Sequence, residues 1–482
     1  MIRNPQIRNF LVSLSVFTMV STTLFGCFNK NGAVVSNIPT VQQQNNFVPP
    51  TVTPFTLATE TPVWLVEDHS LPLVSIQIVL PGGSISDPEG QWGRAEIVSQ
   101  MLLEASGSMT ATDISKYFYQ KAVEISVETR RQHTVIEIAA HKNRLQEIMP
   151  VVQAVIADPK FQETDWNRVV EQHGNALQQS HEDASWLASQ YAGYFLYGDK
   201  HPLGHPVDGE IASIAKIDRN ASAAWHKSRL FAKDVKIVAV GDISSADIVN
   251  LFESYLQSWS TMFPAASSIP AVPVAEFTPS TKTILVDMPG AEQTAIRVFS
   301  PAYVGTEDQI SAQLAGIVMG GSFTSRLNAL LREEKGYTYG AGCSFSESTF
   351  GNYFVVRTSV QTAVTGPALQ DMFAVLATAK EGFSAEEEQK AFGTFQTGFV
   401  ETVASRKKLS EELVDNLLLG ESVTSMQEHL QRAKQVGAVD MLSMSKYFDT
   451  NRGIVLLIGD ASAVEPQLQA IGVAFEKASI PE

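Results

Sequence analysis

Two strand-like stretches, VKIVAVGDIS and GIVLLIGDAS, end in Gly-Asp at Gly241 and Gly459. Two others, IQIVLPGG and IRVFSPAY, reach their prolines at Pro81 and Pro301. Either match alone is weak, but both pairs are separated by nearly the same length of chain, so the chain must fold twice in the same way. Between the copies, SWSTMFPAASSIPAVPVAEFTPSTK carries four prolines and reads as a linker over 258–282. The copies are then 57–257 and 283–482. Each opens with alternating strands (64–80 and 281–299), continues through a helix into further strands (122–141 and 338–360), and then into amphipathic helices (143–157 and 366–382). Each closes on the Gly-Asp strand. Hairpin spacing predicts mostly antiparallel sheets with helices packed on one face, so the fold class is α+β in two homologous halves.

The duplicated body does not begin at residue 1. Arg3 and Arg8 precede FLVSLSVFTMVSTTLFG, an apolar run diluted by Ser and Thr and short for a spanning helix. Residues 1–26 therefore read as a signal peptide. It ends in LFGC, which resembles the bacterial lipobox and makes Cys27 the expected lipidation site. Phe28 rather than Asp after that cysteine implies, by the same resemblance, the periplasmic face of the outer membrane. Residues 27–56, rich in Asn, Gln, Pro, Ser and Thr, read as a flexible tether. Cys343 is the one remaining cysteine, so a lipidated chain has no disulfide and no cysteine-rich zinc site. A net charge of -16 opposes binding to a phosphate backbone, which excludes nucleic acid as a partner.

The order of elements, together with GGSFTSRLNALLREEKGYTYGAG (320–342) and LYGDKHPLGHP (196–206), resembles the pitrilysin/insulinase family of zinc metallopeptidases, which includes mitochondrial processing peptidase. The resemblance implies two α/β halves joined by a linker, with pairs of halves enclosing a peptide chamber. Where that family carries H-x-x-E-H on a helix, this chain reads GRAEIVSQML. The two zinc-binding histidines fall on Glu96 and Gln100, and the water-activating glutamate on Ser99. The third ligand, about 76 residues further in the family's spacing, falls on Ala176. None of the nine histidines sits in H-x-x-E-H or H-E-x-x-H. No zinc is therefore expected in this chain. Glu96, Ser99 and Gln100 are either former site residues facing a polar, wet cavity or a partly exposed helix face.

The second half keeps more of the family's chemistry. By resemblance, Arg332 and Tyr339 are the pair that reaches toward a zinc-bound peptide. Arg332 ends a helix stopped by Gly336, and Tyr339 starts the next strand. A fixed cation and a phenol donor can both bond the oxyanion that forms as water attacks a carbonyl. Arg326 and Tyr337 are alternatives, since a slip of one turn exchanges the roles. Some bacterial relatives divide the work between a zinc-bearing subunit and one supplying Arg and Tyr. The resemblance thus implies a catalytically incomplete subunit that pairs with a zinc-bearing homologue and binds peptides by strand addition. Its zinc would be in the partner. The other reading is a structural or peptide-binding lipoprotein that kept the fold and lost the reaction.

Overall fold

The computed structural model describes residues 47–263, 281–302, 304–346, 353–449 and 453–481. Cys27, the signal peptide and most of the proposed linker lie outside them. Among the described residues no helix is long and apolar enough to cross a membrane.

The first half contributes strands β1 (Thr53–Thr56), β2 (Pro62–Glu67), β3 (Leu73–Pro81), β4 (Glu124–Thr129), β5 (His133–His141) and β6 (Lys236–Gly241). The second contributes β7 (Lys282–Asp287), β8 (Gln293–Pro301), β9 (Ala341–Ser346), β10 (Tyr353–Gln361), β11 (Ile454–Gly459) and β12 (Glu476–Ala478). They form two six-stranded sheets, ordered β1-β2-β6-β3-β5-β4 and β12-β7-β11-β8-β10-β9. Most pairs are antiparallel, as hairpin spacing predicts, but β2–β6 and β7–β11 are parallel because the closing strand returns beside the opening one, and the short β12 also joins β7 in parallel. The duplication is visible element by element. Strands β2, β3 and β5 recur as β7, β8 and β10, all at the offset that separates Pro81 from Pro301. Strand β6 recurs as β11 at the offset that separates Gly241 from Gly459.

Two boundaries shift from the sequence expectation. The tether's last residues form β1, which pairs antiparallel with β2, and Val52 just before it is buried. Low hydrophobicity hid a strand that needs only backbone pairing and one anchor. Helix Ser245–Met262 also runs into the expected linker, because Leu256 and Trp259 continue its buried stripe.

Six helices position the site and join the halves: α1 (Arg94–Leu102), α2 (Leu145–Ala157), α3 (Glu163–Ser180), α4 (Ala184–Gln190), α5 (Thr365–Ala377) and α6 (Arg406–Leu419). Each half packs its own helices on one sheet face. In the first, Ile148, Val152 and Val155 of α2 meet Ile76, Ile78 and Ile136 of the sheet. In the second, Leu369, Met372 and Leu376 of α5 meet Ile296, Val298 and Val356. The other face of each sheet is also apolar, and a helix of the opposite half covers it. Leu409, Leu413 and Val414 of α6 lie against Trp64, Val66 and Val238. Leu187 and Ala188 of α4 lie against Val286, Phe299 and Leu456. The exchange carries its own polar register. Gln77, in the middle of β3, donates to Ser410 of α6 at 3.0 Å. Arg297, at the equivalent position of β8, donates to the carbonyl (3.0 Å) and hydroxyl (2.8 Å) of Ser185 in α4. The two halves form one unit over Val48–Glu482.

Candidate functional site

Helix α1 is fixed at its start by a close approach of two loops. Gly93 (φ +96) and Gly209 (φ +84) lie so near that a Cβ on Gly209 would stand 2.3 Å from the Trp92 carbonyl oxygen. Only glycine fits both the conformation and the space. Trp92 stacks on His205 with centroids 3.8 Å apart. His205 is held by Glu210 at 2.7 Å and the Asp199 carbonyl at 2.6 Å. The LYGDKHPLGHP motif thus serves as a clamp on the start of α1. Asp87 accepts the Gly93 and Ala95 N–H groups at 2.8 and 2.9 Å, satisfying two donors of the helix's first turn. Burial pushes the Asp87 carboxyl up to about 7 against those two bonds.

One turn further along, α1 presents the polar residues that fall on the zinc positions. The Gln100 amide donates to Glu96 Oε1 at 2.8 Å and to Nδ1 of His173, on α3, at 3.0 Å. His173 Nε2 lies 2.7 Å from the Asp208 carbonyl oxygen. A carbonyl only accepts, so Nε2 carries the ring proton and Nδ1 takes the amide's hydrogen. Ser99 does not face the cavity. It is buried, with its hydroxyl donating to the Ala95 carbonyl at 2.9 Å and in close contact with the Thr129 hydroxyl of β4. Ala176 is exposed on α3. The residue that α3 turns toward Gln100 is His173, on the buried stripe Trp166, Val169, His173 and Leu177. The family's spacing missed it by about one turn.

This set does not fit zinc. A zinc ligand needs a free lone pair. Both nitrogens of His173 are engaged, Gln100 presents its NH₂ group to the cluster, and Glu96 is the one carboxylate hydrogen-bonded into it, with Asp208 nearby. Burial raises the Glu96 carboxyl above the usual carboxylate range. Among the described residues no group of three or more His, Cys, Asp or Glu stands close enough to hold a metal ion. Glu96 nevertheless borders a cavity of about 440 Å³, together with Thr129, Arg131 and Asp208. Strand β4 runs along it as the outer strand of its sheet.

The Arg and Tyr candidates separate into two environments. Arg326 pairs with both oxygens of Glu387, at 2.7 and 2.9 Å, and donates to the carbonyls of Thr378 and Gly382. That pairing holds the Glu387 carboxyl down to about 2. Tyr337 packs against the second core. Arg332 lies instead on a π-helical turn, Ala329–Glu334, with its guanidinium 4.0 Å over the ring of Phe323 and 3.4 Å from Glu333. Gly336 follows with φ +65 and ends that turn, as its sequence position predicts. Tyr339 is 91% exposed, in the loop before β9 rather than on the strand. Phe323 is 61% exposed, and the half-buried Arg332 stacks on it at the surface of the second half. Neither Arg332 nor Tyr339 lines the cavity beside Glu96.

Residues 63–194 match the family model described as insulinase (peptidase family M16), and residues 216–392 the model described as peptidase M16 inactive domain. The chain is 23% identical over 282 residues to the "Non-peptidase homolog YmxG" of Helicobacter pylori, covering 58% of this chain and 64% of that protein. It is 18% identical over 390 residues to an uncharacterized zinc protease of Rickettsia bellii, covering 80% of this chain and 92% of that one. Among solved structures, the peptidase M16 inactive domain from Pseudomonas fluorescens superposes with a TM-score of 0.76 at 19% identity, over 85% of this chain and 98% of that one. A protease from Helicobacter pylori superposes with a TM-score of 0.75 at 16% identity, over 86% and 100%. At these identities the structures share the fold.

Proposed function

Because the chain belongs to the insulinase-like M16 peptidase family yet lacks that family's zinc ligands, we propose that it is the zinc-less subunit of a two-chain peptidase. One observation carries this reading. Of two neighbouring Arg/Tyr pairs, the fold consumes Arg326 and Tyr337, leaves Tyr339 exposed, and holds Arg332 half-buried, its guanidinium engaged only by Phe323 and its neighbour Glu333 among the described residues. A guanidinium and a phenol so placed can donate to a substrate carbonyl held at a partner's metal, where developing negative charge makes each donor count most. Binding and activation of the attacking water belong to the zinc-bearing homologue. This chain's share is to hold the peptide and stabilise the oxyanion. Peptides would add to the outer edge of β4, whose main-chain groups lie along the cavity bordered by Glu96 and Asp208. The purified chain should contain no stoichiometric zinc and cleave no peptide until the zinc-bearing subunit is added. One tightly held zinc per chain by elemental analysis contradicts this reading.

The site of action we propose is the periplasmic face of the outer membrane, through a lipid on Cys27. LFGC at 24–27 supports it. Cys27→Ser should release the protein from the membrane fraction or leave the precursor uncleaved. Correctly processed Cys27→Ser protein that still sediments with membranes overturns the anchor. A second reading, a non-catalytic peptide-binding or structural lipoprotein, draws on the closed Glu96–Gln100–His173 network and on the name of the Helicobacter pylori relative.

A further inference from the structure

A larger cavity, about 680 Å³, opens between the two halves and shares Arg130 and Arg131 with the cavity along β4. Its volume lies within the roughly 300–1,000 Å³ of sites that enclose small ligands. Two of its lining side chains have polar atoms that nothing among the described residues satisfies. Both ring nitrogens of His133 (7% exposed) and Nδ2 of Asn416 (5% exposed) are buried without a hydrogen-bond partner among the described residues. Buried polar groups are normally paired, so such atoms mark a place where something else supplies the partner. Burial pulls the His133 ring down to about 4, so at neutral pH it offers one N–H and one lone pair.

The charge of the lining is uneven. Arg130 is divided between Glu128 at 3.2 Å and Asp415 at 3.4 Å. Glu412, also in the lining, is itself engaged. Arg131 donates to the main-chain carbonyl of His205 and has no ion pair with a carboxylate among the described residues. A guanidinium with spare donors, an unpaired amide N–H and a neutral imidazole together suit a planar, acceptor-only group. Arg131 also borders the β4 cavity, so a peptide lying on that edge runs directly into this one.

We propose that this cavity receives the C-terminal carboxylate of the peptide bound along β4, with Arg131, Asn416 and His133 as its ligands. The proposal rests on the peptide-binding reading above and names its substrate class: peptides with a free carboxyl end near the bound segment.

The test uses the whole purified chain without a partner and reads binding, not turnover. A fluorescent extended peptide ending in a free carboxylate is compared with the same peptide ending in an amide. An N-acetyl amino acid serves as a small-carboxylate competitor. The acid should bind at least about tenfold more tightly than the amide. Arg131→Gln and the near-isosteric Asn416→Asp should each collapse that difference in protein that still folds, shown by a cooperative melt. Should Arg131→Gln fail to fold, Asn416→Asp decides. Equal binding of acid and amide overturns the proposal and leaves the subunit reading to its own turnover assay. A preference that persists in the folded variants also overturns it. Competition by the N-acetyl amino acid as effective as by the peptide makes the ligand a free small acid and overturns the peptide assignment.

Discussion

Arg326 and Arg332 stand in one motif and have opposite environments, which decides how variants at each must be read. Arg326→Ala would strand Glu387 and two carbonyls, so it reports on folding rather than on substrate. It is therefore a poor control for Arg332→Ala, although the sequence made the two look interchangeable. The same contrast between local chemistry and burial shapes the acid response. His226 is buried, donates to the Ile156 carbonyl at 2.7 Å and is held down to about 3 by burial and by the Arg229 guanidinium. Its folded pKa lies below the unfolded value near 6.5, so its contribution is complete above about 6.5 and lost as pH falls toward 3. His226→Gln should flatten the stability profile across that window by up to about 1.4 kcal/mol per pH unit, measured by urea denaturation at several pH values. An unchanged slope would mean that the ring titrates normally. At this scale the sequence was legible where identity alone sufficed: Glu96, Ser99 and Gln100 cannot replace His, Glu and His. It was not legible where rotation about a helix mattered. Ala176 follows from a borrowed spacing, whereas the helical stripe Trp166, Val169, His173, Leu177 was in plain view and points to His173.

Among elements, the crossing helices explain why two repeated halves make one body. Helix α6 belongs by sequence to the second half but buries Leu409, Leu413 and Val414 on the first half's sheet. Leu413 is 1% exposed, so Leu413→Ala should cost about 2–5 kcal/mol, the range for a large core truncation. Hydrogen exchange should show the loss in β3 and β6, which α6 covers, as well as in α6. Protection lost from the second half alone would contradict the exchange of helices. Periodicity and the repeat offset were sufficient to place every strand but β1 and β12, because both depend on local pattern and copy number. They could not say which sheet a helix covers, since an apolar stripe fits either face. The one local sign was a polar residue inside an otherwise apolar strand: Gln77 in SIQIVL and Arg297 in AIRVF, each now bonded to the crossing helix.

Across the whole molecule, each half contributes a different part of the proposed activity. The first half offers a β-edge and a cavity beside a hydrogen-bonded cluster unsuited to zinc, and the second half carries Arg332 and Tyr339 at the surface. Neither part alone distinguishes a working subunit from a retired scaffold. The most direct measurement is turnover of a peptide by this chain combined with its zinc-bearing homologue, comparing wild type with Arg332→Ala and Tyr339→Phe. Each variant should still co-purify with the partner and melt near the wild type, because a surface guanidinium and a single exposed hydroxyl contribute little to folding. Each should lower turnover by about 100- to 1,000-fold, the loss typical of removing one oxyanion donor. Full turnover by the Arg332→Ala/Tyr339→Phe double variant would contradict the subunit reading and leave the chain a scaffold.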